Sequence, residues 1–538
     1  MTQISGGEVP RIGVFVCHCG KNIAGVVDSE AVSKYAGLLP DVAHSVADIY
    51  TCSEAGQAEL KKAIKEYNLN RIVVAACSPK MHEVTFRACV SDAGLNPYLM
   101  EMANIREHDS WVHMREPDKA TEKAKDLVRM AVAKARLLEP LEPILVPVTK
   151  RALVIGGGIA GMRTALNVAE AGYEVVLVEK SPSLGGKTLL LDKTYPKIDC
   201  TWCQLQNTIN NVLLNKNIRL LTLTEVVDIK GFVGNFKVTV KRSPSYVSAD
   251  CIGCGKCIDA CPVLVPDEIN GPISNKKAIY LVKNPTLPMP CQGERIEPRK
   301  ILHLTTLPKN PEVAVIDPQN CSRCGACVKT CPTNSIDLKE PSMEQELDVG
   351  SIALAIGFDL FDARRKPEYG YGRYPNVITS LELERMLNPM GPTQGALLMP
   401  SNRKVPKRLS FVQCVGCRDD RTNAYCGRIC CMISLKQAIL VKEKYPDSQV
   451  TMFYIDIRTG GKEYEAIYSK AQLLGVRFIR SRPSDIRERQ GRMIVRSEDT
   501  LASAPMEEES DLVVLSTGIE APRDASLIAE MLKVPRDP

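Results

Sequence analysis

The stretch RALVIGGGIAGMRTALNVAEAGYEVVLVEK, Arg151 to Lys180, decides the fold. Arg151 to Ile155 is a short apolar strand. It runs into Gly156, Gly158 and Gly161 at G-x-G-x-x-G spacing, then a helix-period segment, then a second strand, Glu174 to Val178, that ends in the acid Glu179. Gly156 permits the tight turn, and Gly158 lets backbone N–H groups at the helix start approach a pyrophosphate. Gly161 allows close packing of helix on strand, and Glu179, with Lys180 beside it, is placed to accept ribose hydroxyls. Such a βαβ unit binds a dinucleotide. Gly185-Gly186 follow shortly after the acid, as in two-dinucleotide flavoproteins, which favours FAD over NAD.

Downstream, residues 243–341 turn rich in proline and cysteine, the mark of an inserted domain. Cys251, Cys254, Cys257 and Cys261-Pro262 repeat the spacing of Cys321, Cys324, Cys327 and Cys331-Pro332. Both are the C-x2-C-x2-C-x3-C-P run of bacterial ferredoxins, in which the fourth cysteine crosses to the other cluster. Cys251, Cys254, Cys257 and Cys331 are therefore expected to hold one [4Fe–4S] cluster, and Cys321, Cys324, Cys327 and Cys261 the second. Zinc knuckles would show paired C-x-x-C units without the third cysteine and the trailing proline.

Past the insert, Asp348 to Asp359 (DVGSIALAIGFD) reads as the strand that returns the chain to the FAD domain, and from Arg408 a further α/β unit follows. Its strands are expected at Arg408 to Gln413, Gln449 to Asp456 and Asp511 to Ser516, with helices at Gly427 to Lys444 and Glu463 to Leu474. In a two-dinucleotide reductase this is the nicotinamide domain, whose first strand opens into a second glycine fingerprint. Here the turn instead carries Cys414, Cys417, Cys426 and the pair Cys430-Cys431. Thiolates take the place of a pyrophosphate, which disfavours direct use of NADH or NADPH. A Cys414-x2-Cys417 dithiol cycling a disulfide beside the flavin is a competing reading, but it leaves Cys426, Cys430 and Cys431 without a role.

Upstream, Arg11 to Cys17 and Arg71 to Cys77 read as buried parallel strands, with helix-period segments at Glu54 to Tyr67 and Lys80 to Ala93. Cys17, Cys52 and Cys77 fall at or just beyond strand ends, the edge where open parallel sheets hold ligands, and Cys19 joins them from a loop. A long amphipathic helix, Lys119 to Leu138, leads into the proline-marked linker Glu139 to Lys150. The expected domains are 1–148, an α/β iron–sulfur domain; 149–242, the first FAD part; 243–341, the ferredoxin insert; 342–405, the second FAD part; 406–520, the cysteine-bearing α/β unit; and 521–538, a tail.

The chain has 538 residues, enough for several cores, with 44% apolar and 25% charged residues, so it is globular rather than disordered. Its net charge of +6 is spread thinly, without the Lys/Arg run and interleaved aromatics of a nucleic-acid surface. No apolar stretch is long enough to span a membrane, and Met1 to Pro10 lacks an export signal, which assigns the chain to the cytoplasm. In a reducing compartment its 21 cysteines point to metal ligation rather than disulfides. His18 reads as a loop residue, Cys89 and Cys291 as incidental, and Asp456 and Arg458 as a solvated strand end.

Together, Val14 to Asp28 (VFVCHCGKNIAGVVD), Met102 to Met114 (MANIREHDSWVHM), Gly156 to Met162 (GGGIAGM), the double ferredoxin run and Gln413 to Gln437 (QCVGCRDDRTNAYCGRICCMISLKQ) resemble the A-type flavin subunit of heterodisulfide reductase over nearly the whole chain. The resemblance implies a thioredoxin-reductase-like two-dinucleotide-fold flavoprotein of the α/β class, with an N-terminal iron–sulfur domain, an inserted 2[4Fe–4S] ferredoxin, FAD and about four clusters. It implies an atypical [4Fe–4S] site at Cys414, Cys426, Cys430 and Cys431, with Lys436 as the catalytic lysine facing flavin N5. Cys417 stands where the family has Ser and reads as a spare thiol. Cys200 and Cys203 match a family pair that is grouped with Cys17, Cys19, Cys52 and Cys77 as metal ligands, their share in ligation open.

The implied activity is bifurcation or confurcation of electrons between ferredoxin and a disulfide such as CoM-S-S-CoB. The implied partners are disulfide-reducing and iron–sulfur subunits, an electron-delivering hydrogenase or formate dehydrogenase module, and ferredoxin. A non-bifurcating relay subunit of a respiratory-type complex is the alternative. The family continues beyond the point matching Pro538 with a segment closing the FAD fold and a further ferredoxin domain. The residues from Ile519 onward are expected to be too few to return to the flavin, so a second polypeptide is expected to complete that site.

Overall fold

A computed structural model describes residues 9–142, 144–267, 270–283 and 312–536. Cys291, the middle of the 243–341 insert, most of Met1 to Pro10 and the last two residues lie outside them. The chain divides into two compact units, Met1–Leu145 and Val146–Pro538.

In the first unit, β1 (Ile12–Cys17), α1 (Ser29–Ala36), β2 (Val42–Asp48), α2 (Glu54–Glu66), β3 (Arg71–Ala76), α3 (Pro79–Asp92), β4 (Met100–Asn104) and α4 (Pro117–Ala135) alternate. All neighbouring strands pair parallel, in the order β2-β1-β3-β4. Helices cover a sheet of this kind on both faces, which is why β1 and β3 are continuous apolar runs. Ile12, Val14, Val16, Ile72, Val73 and Val74 are all fully buried. The strand order reverses between β1 and β3, the switch point where such sheets open a crevice at their carboxyl ends.

The second unit begins with β5 (Arg151–Ile155), α5 (Ile159–Glu170), β6 (Glu174–Val178), α6 (Thr201–Leu214) and β7 (Ile218–Leu221). β8 (Thr224–Phe232) and β9 (Asn235–Arg242) follow as an antiparallel hairpin. The insert contributes α7 (Lys256–Ala260), β10 (Leu264–Asp267), β11 (Gly271–Lys277), β12 (Ile279–Lys283), β13 (Glu312–Ile316) and α8 (Ala326–Thr330). The chain then returns through β14 (Met343–Val349), whose Met343 pairs with Arg242 of β9, so the insert leaves and re-enters between two neighbouring strands. β15 (Ser351–Leu354) lies parallel to β5 and completes a sheet of order β15-β5-β6-β7. Leu153 and Val176 of this sheet share a core with Val238 and Val349 of the antiparallel one.

The remaining elements are β16 (Asp359–Leu360), β17 (Val377–Thr379), α9 (Ser380–Leu387), β18 (Arg408–Val415), α10 (Cys430–Lys444), β19 (Gln449–Tyr454), α11 (Tyr464–Leu473), β20 (Arg477–Arg480), β21 (Asp485–Arg489), β22 (Arg492–Asp499), β23 (Ala504–Ser510), β24 (Leu512–Thr517), β25 (Ile519–Glu520) and α12 (Ala525–Leu532). The second parallel sheet runs β17-β24-β18-β19-β20. The unit thus holds two parallel α/β sheets, one opening into glycines and the other into cysteines. The helix expected from Gly427 starts at Cys430, because Arg428 sits at φ +59°, outside the helical region.

The end of the chain departs from expectation. β25 pairs antiparallel with β16, Arg523 N donates to Asp359 Oδ2 at 3.1 Å, and Asp524 lies 2.7 Å from Lys180 Nζ. Met531 and Leu532 of α12 pack onto the core that holds Val226 and Ile229. Residues 519–532 therefore do return to the glycine-bearing domain, because α12 carries apolar side chains that this core partly buries.

Candidate flavin and iron–sulfur sites

At the end of β5 the chain turns with Gly156 at φ +106°, where a Cβ would lie 2.3 Å from Ala355 O; on Gly161 it would lie 1.8 Å from Gly156 O. Neither position admits a side chain. Gly158 starts α5 in extended conformation, with open space where its Cβ would be and no side chain capping the helix. Uncapped N–H groups facing open space are the donor set that a pyrophosphate needs. Gly158 bridges to Gly185, and a Cβ on Gly186 would sit 3.2 Å from Gly158 Cα, so the second glycine pair folds against the first. Glu179 accepts from Gly157 N at 2.6 Å through one carboxylate oxygen and from Ser181 N at 2.7 Å through the other, which fixes the turn. Lys180, placed beside it by the sequence, turns to Asp524. These residues fit FAD.

In the insert, Cys251, Cys254, Cys257 and Cys331 line one cavity. Cys261, Cys321, Cys324 and Cys327 line another. The three-residue steps put the first three thiols of each run on a loop and the first turn of α7 or α8, with Gly255 and Gly325 at φ +75° making the bend. Backbone N–H groups point at the sulfurs: Gly253 and Ala314 at Cys251 Sγ (both 3.5 Å), Arg323 at Cys321 Sγ (3.4 Å) and Ser335 at Cys331 Sγ (3.3 Å). Such donors favour thiolate and stabilise a cluster's negative charge. Burial pushes the Cys257 thiol up to about 11, a penalty that metal ligation removes.

In the first unit, Cys17 ends β1 and Cys77 follows β3, both buried at the carboxyl edge of the sheet. Cys19 and Cys52 lie within electrostatic reach of Cys17, and Cys52 within reach of Cys77. The structure therefore gathers all four. Arg106, paired to Glu107 at 2.7 Å, stands beside Cys77 and Cys19 and offers them a positive charge. Cys200 and Cys203 belong to the other unit, where Cys200 caps α6 and bonds with Cys203 lower its thiol. Cys89 is a core residue whose thiol donates to Gln57 O at 3.5 Å.

At the end of β18, Cys414 takes φ +60° and the strand register shifts. The thiols of Cys414, Cys417 and Cys430 are hydrogen-bonded together and Cys430 reaches Cys431, all of them buried. Bonds from Cys414 and Cys430 draw the Cys417 thiol down, toward thiolate. Cys426 is partly exposed and accepts from Arg428 N at 3.4 Å. Four clustered sulfurs, with Cys426 on the loop between Cys417 and Cys430, are a donor set that suits iron and sulfide. Asp456, two residues past the end of β19, forms an ion pair with Arg418 at 2.5 Å, and Cys431 Sγ lies 3.7 Å from its carbonyl oxygen. Lys366 pairs with Asp419 and holds that carboxyl down, at about 2.

In the second turn of α10, Lys436 is 1% exposed, with Nζ 2.6 Å from Glu384 Oε1 and 2.9 Å from Lys193 O. Glu384, on α9, also accepts from Gln437 Nε2 (2.8 Å) and Asp192 N (3.1 Å). Sequence reasoning singled out Lys436 but missed Glu384, Arg418, Lys366 and Asp419. A carboxylate on a short helix carries no local mark of burial, and the sequence reading placed no helix there; the structure starts α9 with a capping box between Thr379 and Glu382.

The chain matches the family model of an FAD binding domain at residues 151–190 and that of a 4Fe-4S dicluster domain at residues 250–335. It is 51% identical to the second A-type iron–sulfur subunit of the CoB–CoM heterodisulfide reductase of Methanopyrus kandleri, over 99% of this chain and 78% of the relative. It is 47% identical to the A-type subunit of the H2:CoB–CoM heterodisulfide, ferredoxin reductase of Methanothermobacter thermautotrophicus, over 98% of this chain and 77% of that one. Among solved structures, thioredoxin reductase of T. acidophilum is 11% identical, covering 70% of this chain and 80% of its own, with a TM-score of 0.35. Identity of this order across both units leaves one conclusion: the chain belongs to the A-type subunit family of heterodisulfide reductases, which are FAD- and iron–sulfur-containing oxidoreductases.

Proposed function

We propose that this chain is the flavin-bearing electron-transfer subunit of a heterodisulfide-reductase-type complex and that it divides or merges electrons between a ferredoxin and a disulfide acceptor. The observation that carries this reading is the exchange, in one unit, of a nicotinamide fingerprint for a buried thiol group at the start of the helix that carries Lys436. With FAD and the clusters bound, the flavin supplies a centre that handles two electrons and the clusters supply one-electron carriers.

The residues of the chain do the rest. The glycines at 156, 158 and 161 admit the dinucleotide, and Glu179 holds their turn. Cys251, Cys254, Cys257 and Cys331, with Cys261, Cys321, Cys324 and Cys327, hold two clusters. Cys17, Cys19, Cys52 and Cys77 hold a third, and Cys414, Cys426, Cys430 and Cys431 a fourth. Lys436 has three N–H donors, of which Glu384 and Lys193 occupy two among the described residues, so one proton remains to give. Disulfide-reducing subunits and a hydrogenase- or formate-linked donor are the partners, a reading supported by the relative in Methanococcus maripaludis, named as the A-type subunit of an H2/formate:CoB–CoM heterodisulfide, ferredoxin reductase. Location in the cytoplasm goes with this reading.

Anaerobic protein is expected to hold one FAD and roughly sixteen irons per chain, to be inert to NADPH alone, and to show crossed one-electron potentials in a flavin titration. About eight irons would leave only the insert metallated. Ordered potentials would reduce the chain to a simple relay.

A further inference from the structure

Four buried thiols, those of Cys414, Cys417, Cys430 and Cys431, gather where β18 ends and α10 begins, and Cys426 on the loop between makes a fifth where a cubane has four corners to fill. Cys417 stands inside this group: it is hydrogen-bonded to Cys414 and Cys430, fully buried, and approached by the backbone N–H of Gly427. Two glycines shape its surroundings. Gly416, at φ +78°, turns the chain inward where a Cβ would strike the Phe361 ring at 2.1 Å. At Gly518 a Cβ would lie 3.3 Å from Cys417 Sγ. An incidental core cysteine points into apolar side chains or a carbonyl, as Cys89 does. Cys417 points at sulfur. Cys426, by contrast, is partly exposed.

Resting on the reading of this group as a cluster site, we propose that Cys417 is a fifth thiolate ligand, so that the corner left by Cys414, Cys430 and Cys431 is closed by either Cys417 or Cys426. In the exchange one Fe–S(thiolate) bond forms as the other breaks. The released thiolate takes a proton from water, the incoming thiol gives one up, and iron keeps its oxidation state. The buried sulfur needs no movement of β18 to reach the group. Cys426, on the loop before α10, is the ligand free to leave.

The test uses the full chain, purified anaerobically, with iron counted and the reduced protein examined by EPR. Cys426→Ser and Cys417→Ser are each expected to keep the full iron complement, with the EPR signal of this site altered in Cys426→Ser. The double variant is expected to lose about four irons while FAD stays bound. Cys430→Ser is the control and is expected to lose the same number. Loss of those irons in Cys426→Ser alone overturns the proposal, as does their retention in the double variant when Cys430→Ser has lost them. If Cys430→Ser keeps every iron, the cluster reading fails and this proposal falls with it.

Discussion

Lys436 Nζ lies 2.6 Å from Glu384 Oε1 where α10 meets α9, and both side chains are almost wholly excluded from solvent. A buried ion pair is sustained by its remaining hydrogen bonds, and here Gln437, Asp192 and Lys193 provide them. Removing one partner strands a charge. Glu384→Gln is therefore expected to cost about 3–5 kcal/mol, read as a lower urea midpoint by flavin fluorescence. Lys436→Met combined with Glu384→Leu should recover most of that stability, since neither charge is then buried. An unchanged midpoint in Glu384→Gln would mean that water reaches the pair.

The turn around Gly161 tolerates no added atom. Gly161→Ala should force helix and strand apart at a cost of about 1–3 kcal/mol, and flavin affinity should fall roughly tenfold or more. The flavin-to-protein absorbance ratio after gel filtration reports it. Gly460→Ala, at an open site with ordinary backbone angles, should leave that ratio unchanged.

Asp109 is fully buried in the first unit with neither carboxylate oxygen hydrogen-bonded among the described residues, and burial pushes its carboxyl up to about 6. A raised value means the folded state holds the proton more tightly than the unfolded one. The stability this brings is complete below about pH 4 and is lost as pH rises through about 6. Asp109→Asn should therefore stabilise the unit at about pH 8 and change little at or below about pH 4. In a Trp202→Phe background, Trp111 fluorescence during urea unfolding follows this unit. Equal midpoints for both proteins at pH 8 would contradict the sign.

α12 is held by apolar contact more than by charge. Met531→Asp should cost about 1–3 kcal/mol and speed tryptic cleavage at Arg523. Lys180→Ala removes a half-exposed pair to Asp524, worth under about 1 kcal/mol, and should leave the cleavage rate nearly unchanged.

What could be read from the sequence was what repeats or alternates locally. The buried runs of β1, β3 and β5, the glycine spacing and the duplicated ferredoxin run are each contiguous, and a period or interval suffices to place them. Strand and helix bounds at Arg151–Ile155 and Glu174–Val178 fall where the pattern puts them. The pairing of Lys436 with Glu384 and the seating of Cys417 depend on how α9 packs on α10 and on the absence of a side chain at Gly518. Neither leaves a trace in spacing. The return of α12 was missed for a related reason: a short apolar helix at a chain end looks the same whether it docks or frays.

Each cavity of the insert is closed by a cysteine from the other half, Cys331 for the first and Cys261 for the second. During synthesis, Cys251, Cys254 and Cys257 leave the ribosome long before Cys331 does. Until then the first half can offer iron only three of its four neighbours, and the strand pair β9 and β14 that anchors the insert is likewise unformed. The two halves must therefore mature together, as a late, all-or-none event in the life of the nascent chain.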